Sequence, residues 1–139
     1  MRALPLSLLV AALNCARATS HTANPIPPSG LLITQERIEK SGGRTAWEVL
    51  KREAPMLTFR ENRNGQATGM GRRGSASIVL SEAPVIILDG VRVPDVRSLQ
   101  SIPAETIFTI QILTGIEGTT YYGTNAVSGV ILIRTKVGS

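Results

Sequence analysis

Sulfur and imidazole are almost missing from this chain. Cys15 is its only cysteine and His21 its only histidine. A disulfide framework is therefore excluded, and no Cys–His or Ser–His–Asp constellation can be built around a histidine that falls in a linker. Aromatic residues make up only 4% of the sequence, so branched aliphatic side chains must fill most of any core. Long apolar runs are lacking too: the longest, Ala3 to Leu13, is well short of the roughly 20 residues a membrane helix needs. Ten-residue segments of alternating polarity, which would announce a transmembrane β-barrel, do not occur. Nor is one sign of charge dominant. The chain has 15 Lys and Arg against 10 Asp and Glu, a mild imbalance that gives little reason to expect a nucleic-acid partner.

What is present reads first as an export signal. "MRALPLSLLVAALNCARA" places Arg2 before the apolar run and ends in Ala16-Arg17-Ala18, the n-, h- and cleavage-region order of a secretory leader. Two readings of Cys15 stay open. Cleavage after Ala18 removes it, making 1–18 a signal peptide. Cleavage after Asn14 makes 1–14 a lipoprotein signal and Cys15 a lipid-attachment site. Residues 19–30, "TSHTANPIPPSG", form a Pro-rich linker in which His21 is solvated. The remaining residues, 42% apolar over the chain as a whole, suffice for one domain at 31–136, with a tail at 137–139.

Within that domain Leu31–Ile33 reads as a strand. Thr34 is placed to cap a helical turn over 35–40, which Gly42 and Gly43 end. Thr45 and Glu48 have capping-box spacing ahead of a second helix, "AWEVLKREA". Trp47, Leu50 and Ala54 share one face of it, so the tryptophan is expected in the core against a sheet. "MLTFRE" reads as a strand and "NRNGQATGMGRRGS" as a long glycine-rich loop with an Asn64-Gly65 turn. "SIVL" (77–80) and "VIIL" (85–88) are unbroken apolar runs suited to strands covered on both faces. "TIFTIQIL" alternates, with Phe108, Ile110 and Ile112 pointing one way, and "GVILIRTK" is the final strand. The expected fold is α/β (α+β): a small mixed sheet with two short helices.

Three features invite a chemical reading. Gly69, Gly71 and Gly74 spell G-x-G-x-x-G, but a dinucleotide site needs a strand before it and a helix after it. Here a polar loop precedes and an apolar run follows, so neither a nucleotide nor any other cofactor is expected. Arg63, Arg72 and Arg73 could bind an anion or an acidic partner, or simply be a solvated loop. Asp89 and Gly90 stand between two apolar runs, the signal of a type I′ hairpin, which makes Asp89 a turn former and not a catalytic acid. No metal ligands cluster, and no enzyme emerges.

The order of segments resembles the plug domain of TonB-dependent outer-membrane receptors. "TQERIEKSGGRTAWEVLKREAPML" is followed by Arg73-Gly74-Ser75, "PVIILDGVRV", "LQSIPAETIFTIQILTG" and "YYGTNAVSGVILIRTK". The resemblance runs from Leu31 to Lys136. It implies a plug-like fold in the cell envelope, at the outer membrane or periplasm of a Gram-negative-type bacterium, with no catalytic residues. It also implies a β-barrel partner, which this chain lacks the strands to form, so docking into a separately encoded barrel is expected. Residues 19–30 contain no match to a TonB box, so the resemblance does not carry direct TonB engagement onto this chain. The alternative is a free or lipid-anchored binding module acting through the arginines.

Overall fold

Leu31 to Thr34 form strand β1, and the chain passes directly into helix α1, Gln35–Ser41. The computed structural model describes residues 30–74 and 83–138. The leader with Cys15, the linker up to residue 29 with His21, the strand expected at 77–80 and Ser139 lie outside the described residues. Thr34 occupies the N-cap position of α1 in an extended conformation but makes no side-chain cap bond.

Helix α2, Ala46–Glu53, starts where its composition predicts. Thr45 Oγ1 accepts from the Glu48 amide, whereas the Glu48 carboxylate accepts from the Arg44 amide at 2.9 Å. The box is thus displaced by one residue, and two orphan helix-start donors are still satisfied. Trp47, Leu50 and Ala54 are all buried. The tryptophan meets Phe59 edge-on, with ring centroids 5.0 Å apart. Phe59 lies in β2, Leu57–Glu61, so the indole packs on a hairpin as well as on the main core.

That hairpin corrects the expected loop. Residues Ala67–Arg72 are a strand, β3, paired antiparallel with β2 from Leu57↔Arg72 to Glu61↔Ala67. Glycine content hid it, because strand interiors normally disfavour glycine. Buried Ala67 and Met70 supply the inward face. Gln100 secures the far end, its Oε1 accepting from the Ala67 amide and its Nε2 donating to the Gly65 carbonyl.

The main sheet is mixed and has five strands in the order β1-β6-β7-β4-β5. Its other members are β4 (Val85–Leu88), β5 (Val91–Val93), β6 (Ile107–Leu113) and β7 (Val130–Thr135). Only β4 and β7 run parallel. One face carries Ile33, Ile86, Ile110, Ile112, Ile131 and Ile133 against α1, α2 and the β2–β3 hairpin. The other buries Val85, Leu113 and Val130 with Ala126.

Phe108 does not share the inward face of Ile110 and Ile112. A bulge between Ile107 and Thr109 shifts the register, so Ile107 is buried and Phe108 is left largely exposed. One extra residue reverses every side chain before it. A third helix, α3 (Gly115–Tyr122), joins the two that were expected.

Glu61, at the end of β2, ties hairpin to helix. It accepts from Trp47 Nε1 and from Lys51 Nζ, the latter at 2.9 and 3.0 Å. The indole hydrogen bond first, and the Lys51 contact second, hold its carboxyl below the ordinary carboxylate range. A pKa lower folded than unfolded contributes stability above the unfolded value, and that contribution disappears as pH falls through the folded one. Glu61→Gln should therefore flatten the loss of stability on acidification below the usual carboxylate range, as read from urea midpoints over a pH series. An unchanged acid limb would contradict this.

Candidate functional site

The Asp-Gly turn joins β4 to β5 in two residues, with Leu88 opposite Val91. Asp89 has φ 47° and Gly90 φ 84°, both in the region a I′ turn requires. The aspartate bonds far along the chain and not only locally. Its Oδ1 accepts from the Thr135 amide at 2.8 Å and its Oδ2 from the Thr135 hydroxyl at 2.7 Å. The carboxylate so clasps the end of β7, and the Gly138 backbone folds back beside it.

Gly90→Val should cost about 1–2 kcal/mol, because a β-branched residue resists positive φ. Asp89→Asn should cost well under about 1 kcal/mol, since the amide oxygen can still accept from the Thr135 amide and the amide nitrogen can donate to the hydroxyl. Thermal melts of the two variants check both; a larger loss for Asp89→Asn would refute the ranking.

The hairpin separates the candidate arginines. Arg63 sits at the β2–β3 connection, while Arg72 ends β3 opposite Leu57 and Arg73 follows it. At about 3.3 Å per strand residue, Arg63 is roughly 15–20 Å along the hairpin from the other two. They do not form one cluster. Arg73 donates its amide to the Met56 carbonyl. Arg72 is half-buried, and among the described residues no carboxylate pairs with it.

Most of the acids serve structure. Glu53 pairs with Arg37 and Glu36 with Lys40. Asp95 caps a short 3-10 turn through the Arg97 amide. Glu117 completes a full capping box with Thr114 at the start of α3. Among the described residues no group of three metal-ligating side chains comes together, and no helix is long and apolar enough to cross a membrane.

Several concavities open among the described residues, these two among them. A cleft of about 310 Å³ lies between the start of β4, β5 and the 124–127 turn, walled by Met70, Pro84, Ile86 and Pro94, with Arg92, Thr124 and Asn125 as its polar side chains. A more open groove, about 510 Å³, runs along α3 between Arg72 and Val127. Neither places a nucleophile beside a base.

A family model of the TonB-dependent receptor plug domain matches residues 24–130. The chain belongs to the TonB-dependent receptor plug family. The plug is 33% identical over 75 residues to TonB-dependent receptor P26 of Formosa agariphila, covering 54% of this chain and 8% of that receptor. Among solved structures it is similar to the RagAB peptide importer in the open-open state, at 21% identity and TM-score 0.60, over 78% of this chain and 12% of that one. The siderophore receptor PirA of Acinetobacter baumannii matches at 24% identity and TM-score 0.55, over 76% and 17%. The plug thus spans a small fraction of the proteins it matches, which are receptors and transporters of the outer membrane. The mixed plug-like sheet expected from the sequence is the fold these structures share with it.

Proposed function

We propose that this chain is a non-enzymatic plug module of TonB-dependent outer-membrane transport, which seats in the lumen of a β-barrel as a separately folding unit. The observation that carries the reading is the family match over 24–130 together with a sheet in the plug arrangement. The core supports independence: one sheet face is covered by α1, α2 and the β2–β3 hairpin, the other in part around Ala126, and a domain of this size can stand without staples. Its place is the cell envelope, at the periplasmic side of or within the outer membrane. The alternative is a free module that binds a partner through Arg63, Arg72 and Arg73, with Arg63 at the far end of the hairpin from the other two.

The test is capture from detergent-solubilised outer membranes with the tagged full chain. An outer-membrane β-barrel protein should be recovered in stoichiometric amount. If the folded chain recovers none, the docking reading falls.

A further inference from the structure

The tip of the β2–β3 hairpin reads Asn62-Arg63-Asn64-Gly65-Gln66, and every one of these residues is exposed. The Gly65 amide donates to the Asn62 carbonyl at 3.0 Å and the Asn62 amide to the Gln66 carbonyl at 2.9 Å, while Gly65 takes the left-handed conformation at φ 75°. The two asparagines are held differently. Asn62 is wholly engaged: its Oδ1 accepts from the Asn64 and Gln66 amides, and its Nδ2 donates to Gln66 Oε1. The Asn64 side chain makes no hydrogen bond among the described residues; its part in the turn is its backbone amide.

That freedom matters because a glycine comes next. The amide nitrogen of a following residue can attack an asparagine Cγ, and a Cβ on that residue obstructs the approach. Gly65 has none, and open space lies where one would stand. The chain's Asp89-Gly90 pair shares the spacing, but its carboxylate is clasped by the Thr135 amide and hydroxyl. Asn125 is followed by Ala126, which carries the Cβ that Gly65 lacks.

We propose that Asn64 is a site of self-modification, a slow clock built into the hairpin tip. The turn opens, which costs little at an exposed tip with solvated backbone bonds, and the Gly65 nitrogen gives up its proton. That nitrogen bonds to Asn64 Cγ, and Nδ2 takes up a proton and leaves as ammonia. The cyclic imide then adds one water. Breaking its bond to Cγ gives an aspartate at position 64; breaking its bond to the main-chain carbonyl carbon gives an isoaspartate, whose backbone runs through Cβ and is longer by one methylene. Either product sets a carboxylate beside Arg63 where a neutral amide stood. The isoaspartyl form also displaces the Gly65 carbonyl, to which Gln100 Nε2 donates at 2.8 Å, and so loosens the bridge whose other arm, Gln100 Oε1, holds the Ala67 amide.

Peptide mapping by mass spectrometry after pepsin digestion of the folded full chain, aged in neutral buffer, tests this, with isoaspartyl methyltransferase marking the longer-backbone product. Conversion should be confined to position 64, give both products and quicken as pH rises, while Asn62, Asn125 and Asp89 stay as they are. Asn64→Gln should abolish the acidic species, and Gly65→Ala should slow its appearance about tenfold or more by restoring the Cβ. In the separated isoaspartyl fraction the Ala67 amide should exchange faster than in fresh protein. A folded chain that stays intact at position 64 while the urea-unfolded chain is largely converted overturns the site, as does conversion of Asn62 or Asp89 at a matching rate. Unchanged Ala67 exchange overturns the loosening.

Discussion

Trp47→Ala should destabilise the domain by about 3–5 kcal/mol, the cost of deleting a large buried aromatic ring. Trp47 is 1% exposed in the main core, lies edge-on to Phe59 and donates to Glu61. The substitution leaves a cavity where α2 meets the β2–β3 hairpin. It also strips Glu61 of its strongest stabilising contact, so the acid sensitivity of the variant should weaken as well. Set against a total stability of about 5–15 kcal/mol for a domain of this kind, the loss is large. Trp47→Phe retains the ring contact and loses the N–H, so it should fall between the two. Because Trp47 is the sole tryptophan, urea unfolding has to be followed by circular dichroism. A midpoint unchanged by Trp47→Ala would mean that the hairpin is not held by this residue.

The second large effect is expected at Gly115. A Cβ there would stand 2.1 Å from the Val127 carbonyl oxygen. Both groups are backbone, so no side chain can rotate away and α3 must lift. Gly115→Ala should cost about 2–4 kcal/mol, in the range of severe overpacking. The same substitution should raise amide exchange through 115–122 while sparing α2, whose buried side chains belong to the other core cluster. If exchange rises evenly across the domain, α3 is not the element displaced.

Why one strand and one helix escaped the sequence reading is a matter of glycine. Gly69 and Gly71 flank Met70 in β3, and a segment so rich in glycine carries none of the β-branched signal that marked "VIIL". It is a strand because its neighbour recruits it, through the Gln100 bridge and the buried Met70. Likewise α3 contains two glycines, two threonines and two tyrosines, all weak helix formers. Its one legible sign was Thr114-x-x-Glu117, a capping-box spacing that folds as such. Phe108 was misplaced for a different reason: alternation is read on the assumption of an unbroken pleat, and a single bulged residue breaks it. The elements that were legible, β1, α1, α2, β2, β4, β5, β6 and β7, are those in which propensity, period and boundary residues agree.

The reach of Asp89 to Thr135 could not be read in the sequence either, since it depends on the parallel pairing of β4 with β7. The local signal, Asp before Gly between apolar runs, is sufficient for a turn and silent about what the carboxylate grasps.

β1 lies at the sheet edge with β6 as its only neighbour, and Ile33 meets its partner at Ile110. A ribosome delivers the first of these long before the second. The two hairpins and the α1–α2 pair can form early, but the opening strand has nothing to join until residues 107–113 have emerged. Pairings between such remote segments are slow to establish. The five-stranded sheet therefore closes only once residues 107–113 are available, so its edge strand is the last to be fixed.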